Sequence, residues 1–374
     1  MQKCGDGFLR RVLRVYVYTA NSLAKEQAPF LLCRESRNKN RRLPMRAAMP
    51  FPFPMPRTAI RYDPAAVLAW TAHIQKALPA FQRHEADVLA AMPTASKSVL
   101  GCIVLIEPRD SLLIEFAIKA ATFSLRGWGV CIVHGTDNEA FVRTLFGGWP
   151  NVLLLNARVR NLPQAAYNSL LTSPAFWDAM PHENLLFIQT DVVILQGFDA
   201  SHAAWNYEYV GAPWSYTCIA CGALTTPAKS VCGHMIDHKA LQNVAPNLVG
   251  NGGFSFRKRS AMRQACSNFR LACERAAEID ELWGKPPLDA IPIPHTTQED
   301  VFFSSAVPRV GGRVAPRDIA LAFGVEQVPP IALDWGKPCA IGLHKPWGYM
   351  SQHCVEAMLS GAAYLRLPIG QKNE

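Results

Sequence analysis

Between Ser98 and Asp191 the chain alternates short unbroken apolar runs with stretches in which apolar residues recur every three or four positions. The unbroken runs are Val99–Ile106, Gly129–Val133, Val152–Leu155 and Leu185–Ile188. Each has the length of a buried strand. The periodic stretches are Ser111–Leu125, Glu139–Phe146 and Leu162–Met180, the last with a break at Pro174. They predict helices. Strands that are apolar on both faces and alternate with helices predict an α/β fold: a mainly parallel central sheet covered by helices on both faces. Ligands of such sheets bind beyond the carboxyl ends of the strands. The residues at those ends are Glu107–Asp110, His134–Asn138 and Gln189–Asp191. After Asp191 the regularity gives way to clusters of Gly, Pro, Trp and Asn, as expected where a substrate-binding half is joined to a nucleotide-binding half.

Upstream, Val67, Trp70, Ile74, Leu78 and Phe81 recur at helical spacing behind Asp63-Pro64, an N-cap and first-turn pair. This is a packing helix within residues 62–97, and Pro79 is expected to kink it. Residues 1–61 have no apolar periodicity. Proline at every second position from Pro50 to Pro56 predicts an extended, flexible leader. The domain proper is expected over residues 98–374.

Charge sharpens this division. The chain carries a net +9, but residues 1–61 hold 13 Lys/Arg against three acids, so the leader is +10 and the remainder −1. A nearly neutral body argues against a nucleic-acid-binding face on the folded domain. No run approaches the ~18 uninterrupted apolar residues of a membrane helix. Arg10, Arg11 and Arg14 interrupt the first apolar stretch, so it lacks the core of a secretory signal. The Arg-rich leader fits an organelle transit peptide or a misassigned start equally well, and the compartment stays open.

Four later segments carry candidate chemistry. Asp191 directly follows an apolar strand, beside the expected ligand site. The phosphates of a sugar nucleotide carry about two negative charges, and a divalent ion between them and the carboxylate reverses the repulsion. In Asn251-Gly252-Gly253, two glycines permit close backbone approach, and the amide offers a donor and an acceptor to sugar hydroxyls. Glu299-Asp300 precedes an apolar run, and one of the two acids is a candidate base for an acceptor hydroxyl. In Gly342-Leu343-His344-Lys345, His344 offers a nitrogen to a metal and Lys345 a cation to a diphosphate leaving group.

These segments, in their order, resemble a family of uncharacterised domains regarded as glycosyltransferases of the GT-A fold. The likeness runs over Tyr167-Asn168, Phe187-Ile188-Gln189-Thr190-Asp191, Gly211-Ala212-Pro213-Trp214, Asn251-Gly252-Gly253-Phe254-Ser255, Glu299-Asp300-Val301-Phe302-Phe303 and Gly342-Leu343-His344-Lys345-Pro346-Trp347. It implies a nucleotide-sugar donor, a glycan, protein or small-molecule acceptor, and a divalent cation, Mn2+ or Mg2+. It also implies hexosyltransferase-like transfer to a hydroxyl; inversion, with Asp300 or Glu299 as base, is the expected outcome, and retention is the alternative. The runner-up is a nucleotide-sugar-binding protein of the same fold without turnover. The resemblance makes Asp191 the counterpart of the last carboxylate of the Asp-x-Asp motif, with Gln189 in place of the first. It groups Gln189, Thr190, Asp191, Asn168 and Lys345 on the donor side, and Asn251, Gly252, Gly253 and Trp214 on the acceptor side. Asp191 and His344 become the metal pair, and Asp300 or Glu299 the base. If Asp191 and His344 share one ion, they must meet within ~5 Å.

Region 215–245 fits less well and reads as an insertion. Cys218, Cys221, Cys232 and His234, with His238 beyond, are ligand types at spacings a structural zinc permits. Unligated thiols in a loop are the alternative. The odd total of 11 cysteines, with Cys102 and Cys131 inside apolar runs, suggests a reducing compartment.

Overall fold

The structure is a computed structural model. It describes residues 64–83, 85–92, 100–213, 249–272, 275–293, 298–326, 340–345 and 352–360. The expected leader, Trp214 and the Cys/His cluster at Cys218, Cys221, Cys232 and His234 lie outside the described residues.

The fold is mixed α/β. Helices α1 (Pro64–Arg83) and α2 (Glu85–Ala91) precede strand β1 (Cys102–Ile106), α3 (Leu112–Ser124) and β2 (Gly129–His134). Then come α4 (Glu139–Phe146), β3 (Val152–Asn156), α5 (Gln164–Leu171), α6 (Pro174–Asp178) and β4 (Asn184–Ile188). The four apolar runs are thus strands, and each periodic stretch is helical. Pro174 divides the last stretch because it starts α6, with Ser173 as the preceding cap position. At α3 the Ser111 side chain accepts from Leu113 N. Helix α1 buries Trp70, Ile74, Leu78 and Phe81, as their spacing requires. It is helical through Pro79, which is exposed.

The central sheet has the order β3-β2-β1-β4-β7-β6. Strands β3, β2, β1 and β4 are mutually parallel, whereas β7 (Phe254–Lys258) runs antiparallel to both β4 and β6 (Tyr209–Gly211). Chain order steps outward from β1 to β3 and then returns to the other side of β1. Right-handed crossovers therefore put α3 and α4 on one face and α5 and α6 on the other. The contacts agree. Helix α3 packs with α1 and α2, and α1 packs with α11 (Gln352–Ser360). Opposite them, α5 and α6 pack among α7 (Arg259–Asn268), α8 (Ala277–Trp283) and α9 (Glu299–Arg309). The core between the layers includes Phe116, Trp128, Phe146, Trp177, Phe187 and Phe254. Each such side chain contributes ~1.5–3 kcal/mol by leaving water.

Directly after α7, β8 (Phe269–Leu271) pairs in parallel with β9 (Ile291–Ile293), which follows α8. A third, small sheet matters most for the site. It has the order β10-β11-β5, from β10 (Gly324–Val325, after helix α10, Arg317–Phe323), β11 (Gly342–His344) and β5 (Val192–Ile194). Strand β11 is antiparallel to β5, with His344 opposite Val192, and parallel to β10, with Leu343 opposite Val325. It is joined to the main sheet through β4, which continues over the three residues Gln189–Asp191 into β5. Phe254 of β7 stacks on Phe323, centroids 4.6 Å apart, and ties the two sheets together.

Among the described residues no helix is long and apolar enough to cross a membrane.

Candidate functional site

Strand order reverses between β1 and β4, so the crevice beyond their carboxyl ends is the topological switch point of the sheet. Gln189, Thr190 and Asp191 form the turn there, closed by Val192 N donating to Gln189 O at 3.1 Å. The small sheet brings two distant residues to this turn. Its register sets His344 beside Val192, hence next to Asp191, and sets Glu326, one residue past β10, beside His344. His344 Nε2 lies 3.3 Å from Asp191 Oδ1 and 3.1 Å from Gln189 Oε1. On the other side of the ring, Nδ1 lies 3.1 Å from Glu326 Oε1. Only the Gln189 contact is aligned as a hydrogen bond. Asp191 Oδ1 and His344 Nδ1 are buried with ion-pair partners but no hydrogen bond.

Burial disfavours charge on both members of the central pair, yet each holds the other ionised. Desolvation works against the Asp191 carboxylate, but His344 and then Lys345 outweigh it and keep its pKa below the usual value. Desolvation likewise works against the His344 imidazolium, but Asp191 and Glu326 raise its pKa to about 10. Lys345 completes this corner. Its φ of 48° is left-handed, and its N–H donates to Asp191 O at 3.0 Å.

Asn251 belongs to the same network through both ends of its amide. Its Nδ2 donates to Glu326 Oε2 at 2.7 Å, and its Oδ1 accepts from Gly253 N at 3.0 Å. The two following glycines are required by side chains of the protein itself. A Cβ on Gly253 would run into the His344 ring, and one on Gly252 into the Glu299 carboxylate. Gly253 O also accepts from Gln189 N at 2.9 Å, which continues the β4–β7 ladder by one step.

Across Gly252 lies a second cluster. Glu299 and Asp300 open α9. Glu299 is paired with Arg257 of β7, whose Nη1 donates at 3.0 Å and Nη2 at 3.3 Å. The side chains are 5% and 0% exposed. The guanidinium is ringed by Phe187, Tyr209, Phe303 and Trp177, at 4.5, 5.3, 5.4 and 6.0 Å from their centroids. Asn168 caps the helix from α5, its Oδ1 accepting from Glu299 N at 3.2 Å. Asp300, 9% exposed, accepts from Val301 N at 2.7 Å. Desolvation, then the charges of Glu299 and Glu326, raise its pKa to about 7.

The structure therefore gathers Gln189, Asp191, His344, Lys345 and Asn251 at one strand end, and Asn168, Glu299 and Asp300 just across Gly252. It separates the roles of the acidic pair. Glu299 is committed to Arg257, which leaves Asp300, poised near neutrality, as the acid suited to proton transfer. The amides of Asn168 and Asn251 are engaged within the protein. Two members escape sequence reasoning. Glu326 obeys the strand-end rule that singles out Asp191, but its strand is only two residues long. Arg257 interrupts the aromatic run Phe254-Ser255-Phe256, and a charge inside an otherwise buried strand is a signal that a partner exists. Among the described residues no three His, Cys, Asp or Glu side chains are grouped as a metal-holding set.

The fold and this cluster define an α/β protein with a buried carboxylate–imidazole site at its sheet's switch point. The chain belongs to the family described as protein of unknown function (DUF5672), which matches residues 154–344, or 191 of 374 positions (344 − 154 + 1). That span runs from β3 to His344 and contains every residue of both clusters except Lys345, which directly follows it. No curated protein matches the chain.

Proposed function

We propose that this protein is a glycosyltransferase with a GT-A-like fold. It transfers a sugar from a nucleotide-sugar donor to an acceptor hydroxyl, with inversion and with a divalent cation, manganese or magnesium. The observation that carries this reading is the meeting of Asp191 and His344. They are 153 positions apart (344 − 191), yet lie 3.3 Å apart at the switch point. A carboxylate there repels a diphosphate unless a cation lies between them.

The residues present fit such a cation. Asp191 Oδ1 is a buried carboxylate oxygen with an unused acceptor position. Magnesium-like ions take one or two protein ligands and complete their shell with phosphate oxygens and water. A site lacking a cage of three protein ligands suits an ion that arrives with the donor. Asp191 and His344 would hold it, and it would neutralise charge on the departing diphosphate. His344 must give up its proton to serve as a ligand, so metal and proton compete for Nε2. Lys345 offers the leaving group a further positive charge. Asp300 takes the proton of the acceptor hydroxyl as the new bond forms, and buried Tyr167 borders the same groups, within the field of Glu299 and Asp300.

One observation favours a protein that binds the donor without turnover. Gln189 stands where a first carboxylate is expected, and it already satisfies His344 Nε2. Donor hydrolysis separates the two. The transferase reading expects release of nucleoside diphosphate from at least one nucleotide sugar, dependent on manganese. The binding reading expects a thermal shift with no release.

A further inference from the structure

The buried Arg257–Glu299 pair plays no part in the chemistry above, yet it is the most elaborately housed charge in the described structure. Four aromatic rings surround the guanidinium, and Ser255 Oγ accepts from its Nε at 2.8 Å. Ionic groups in such surroundings are costly, and apolar residues of similar volume commonly serve packing as well. Its location suggests a task. Glu299 and Asp300 are consecutive residues of the first turn of α9, and that turn has no side-chain cap of its own. It is fixed from outside at two points: Asn168 of α5 accepts from Glu299 N, and Arg257 of β7 holds both Glu299 oxygens, while one turn further along α9 Ser304 Oγ hydrogen-bonds Val249 O. The first turn of α9 is thus set relative to the sheet by a two-point ionic clamp.

We infer that Arg257 and Glu299 are positioning residues for Asp300: the clamp fixes the turn that carries its carboxyl and supplies the charges that surround it. The inference rests on the reading of Asp300 as the proton acceptor. The charged and titratable groups around Asp300 come from every neighbouring element: Glu299 on its own turn, Arg257 of β7, Glu326 after β10, Tyr167 of α5 and Tyr209 of β6. Glu299 is the nearest like charge in sequence and works with desolvation to keep the Asp300 carboxyl neutral to higher pH. Arg257 opposes it. A merely structural pair would leave this balance untouched when exchanged.

The test is a carboxyl-carbon NMR titration of Asp300 in the full chain, its signal assigned by its loss in Asp300→Asn. The unaltered protein should titrate at about 7. Glu299→Gln keeps the shape, removes the like charge and frees Arg257, so the Asp300 midpoint should fall by ~1 pH unit or more. Glu299→Asp should restore much of it. If Glu299→Gln does not fold, Arg257→Lys serves. Its single ammonium cannot hold both oxygens and withdraws toward β7, so the Asp300 midpoint should rise. An unchanged midpoint in a folded variant overturns the inference. In a transfer assay, the acid limb of the rate profile should follow the NMR midpoint. A midpoint that moves while the limb stays rejects Asp300 as the base but leaves the clamp in place.

Discussion

The two sides of the Gly252–Gly253 strap are built from similar parts and behave differently. Each glycine makes room for one charged side chain: Gly253 for the His344 ring, Gly252 for the Glu299 carboxylate. On the Gly252 side the charges are paired off. The Arg257 fork matches Glu299 in a dry aromatic enclosure, and both side chains are almost fully buried. On the Gly253 side the charges are close but unaligned, Asp191 is 23% exposed at its side chain, and two buried polar atoms have no hydrogen bond. A satisfied ion pair stabilises one geometry. An unsatisfied cluster at a strand end leaves coordination to offer. In the proposed function the first side is scaffold and the second is site, and Asp300 stands between them, on the scaffold's helix but within reach of the Glu326 charge.

The largest effect should come from breaking the scaffold. Arg257→Met leaves the Glu299 carboxylate buried without its cation, a class of change that costs ~3–5 kcal/mol. Urea unfolding should show this, whereas Asp191→Ala should shift the midpoint far less. Equal losses in the two variants would erase the distinction between the sides. Next, Asp300→Asn should leave donor binding intact and reduce transfer by ~10²–10⁴-fold, the usual contribution of a positioned base. Donor affinity falling with the rate would move Asp300 into the binding site instead.

Alanine at each glycine probes one side at a time. Overpacking of this kind typically costs ~1–3 kcal/mol. Gly252→Ala should spend that cost on stability. Gly253→Ala should push the His344 ring off Asp191 and weaken metal-dependent donor binding more than it lowers the melting temperature. A reversed pattern contradicts the assignment.

The pH dependence separates the two sides by window. His344 is raised from 6.5 to about 10, so its stabilising contribution is complete below about 6.5 and is lost as pH rises through about 10. The stability gap between the protein and His344→Gln should therefore be widest near pH 6 and close toward pH 10. Asp300 is raised from 3.8 to about 7, so its ionisation costs stability over that lower window. Asp300→Asn should gain on the unaltered protein between about pH 4 and 7 and hold that gain above it. Unfolding curves at pH 5, 7 and 9 distinguish the two windows.

How far the sequence reveals this arrangement depends on the kind of element. Strands β1, β2 and β4 are legible because a parallel strand buried on both faces must be apolar throughout, and the helices between them must keep a 3.6-residue period; β3, a partly buried edge strand, is legible from its apolar run alone. Asp191 is legible because a carboxylate at the end of such a run has little other reason to be there. Strands β5, β10 and β11 have two or three residues each. At that length no periodicity exists, and only tertiary pairing makes them strands. The resemblance leads to His344, but its contact with Glu326 depends on that small sheet and is invisible beforehand. The double glycine is legible as a close approach, but the approaching groups are the protein's own Glu299 and His344. The acidic pair reads as two equivalent candidates until Arg257 claims one of them.

The most direct test is the release of nucleoside diphosphate from a panel of nucleotide sugars, by the unaltered protein and by Asp191→Ala, each with manganese and with chelator. Release is expected from at least one donor by the unaltered protein with manganese, and none above background with chelator or in the folded Asp191→Ala variant. Release that persists in Asp191→Ala, or that is indifferent to manganese, would contradict the proposed site. A full panel with neither release nor a thermal shift would contradict the proposed function as well.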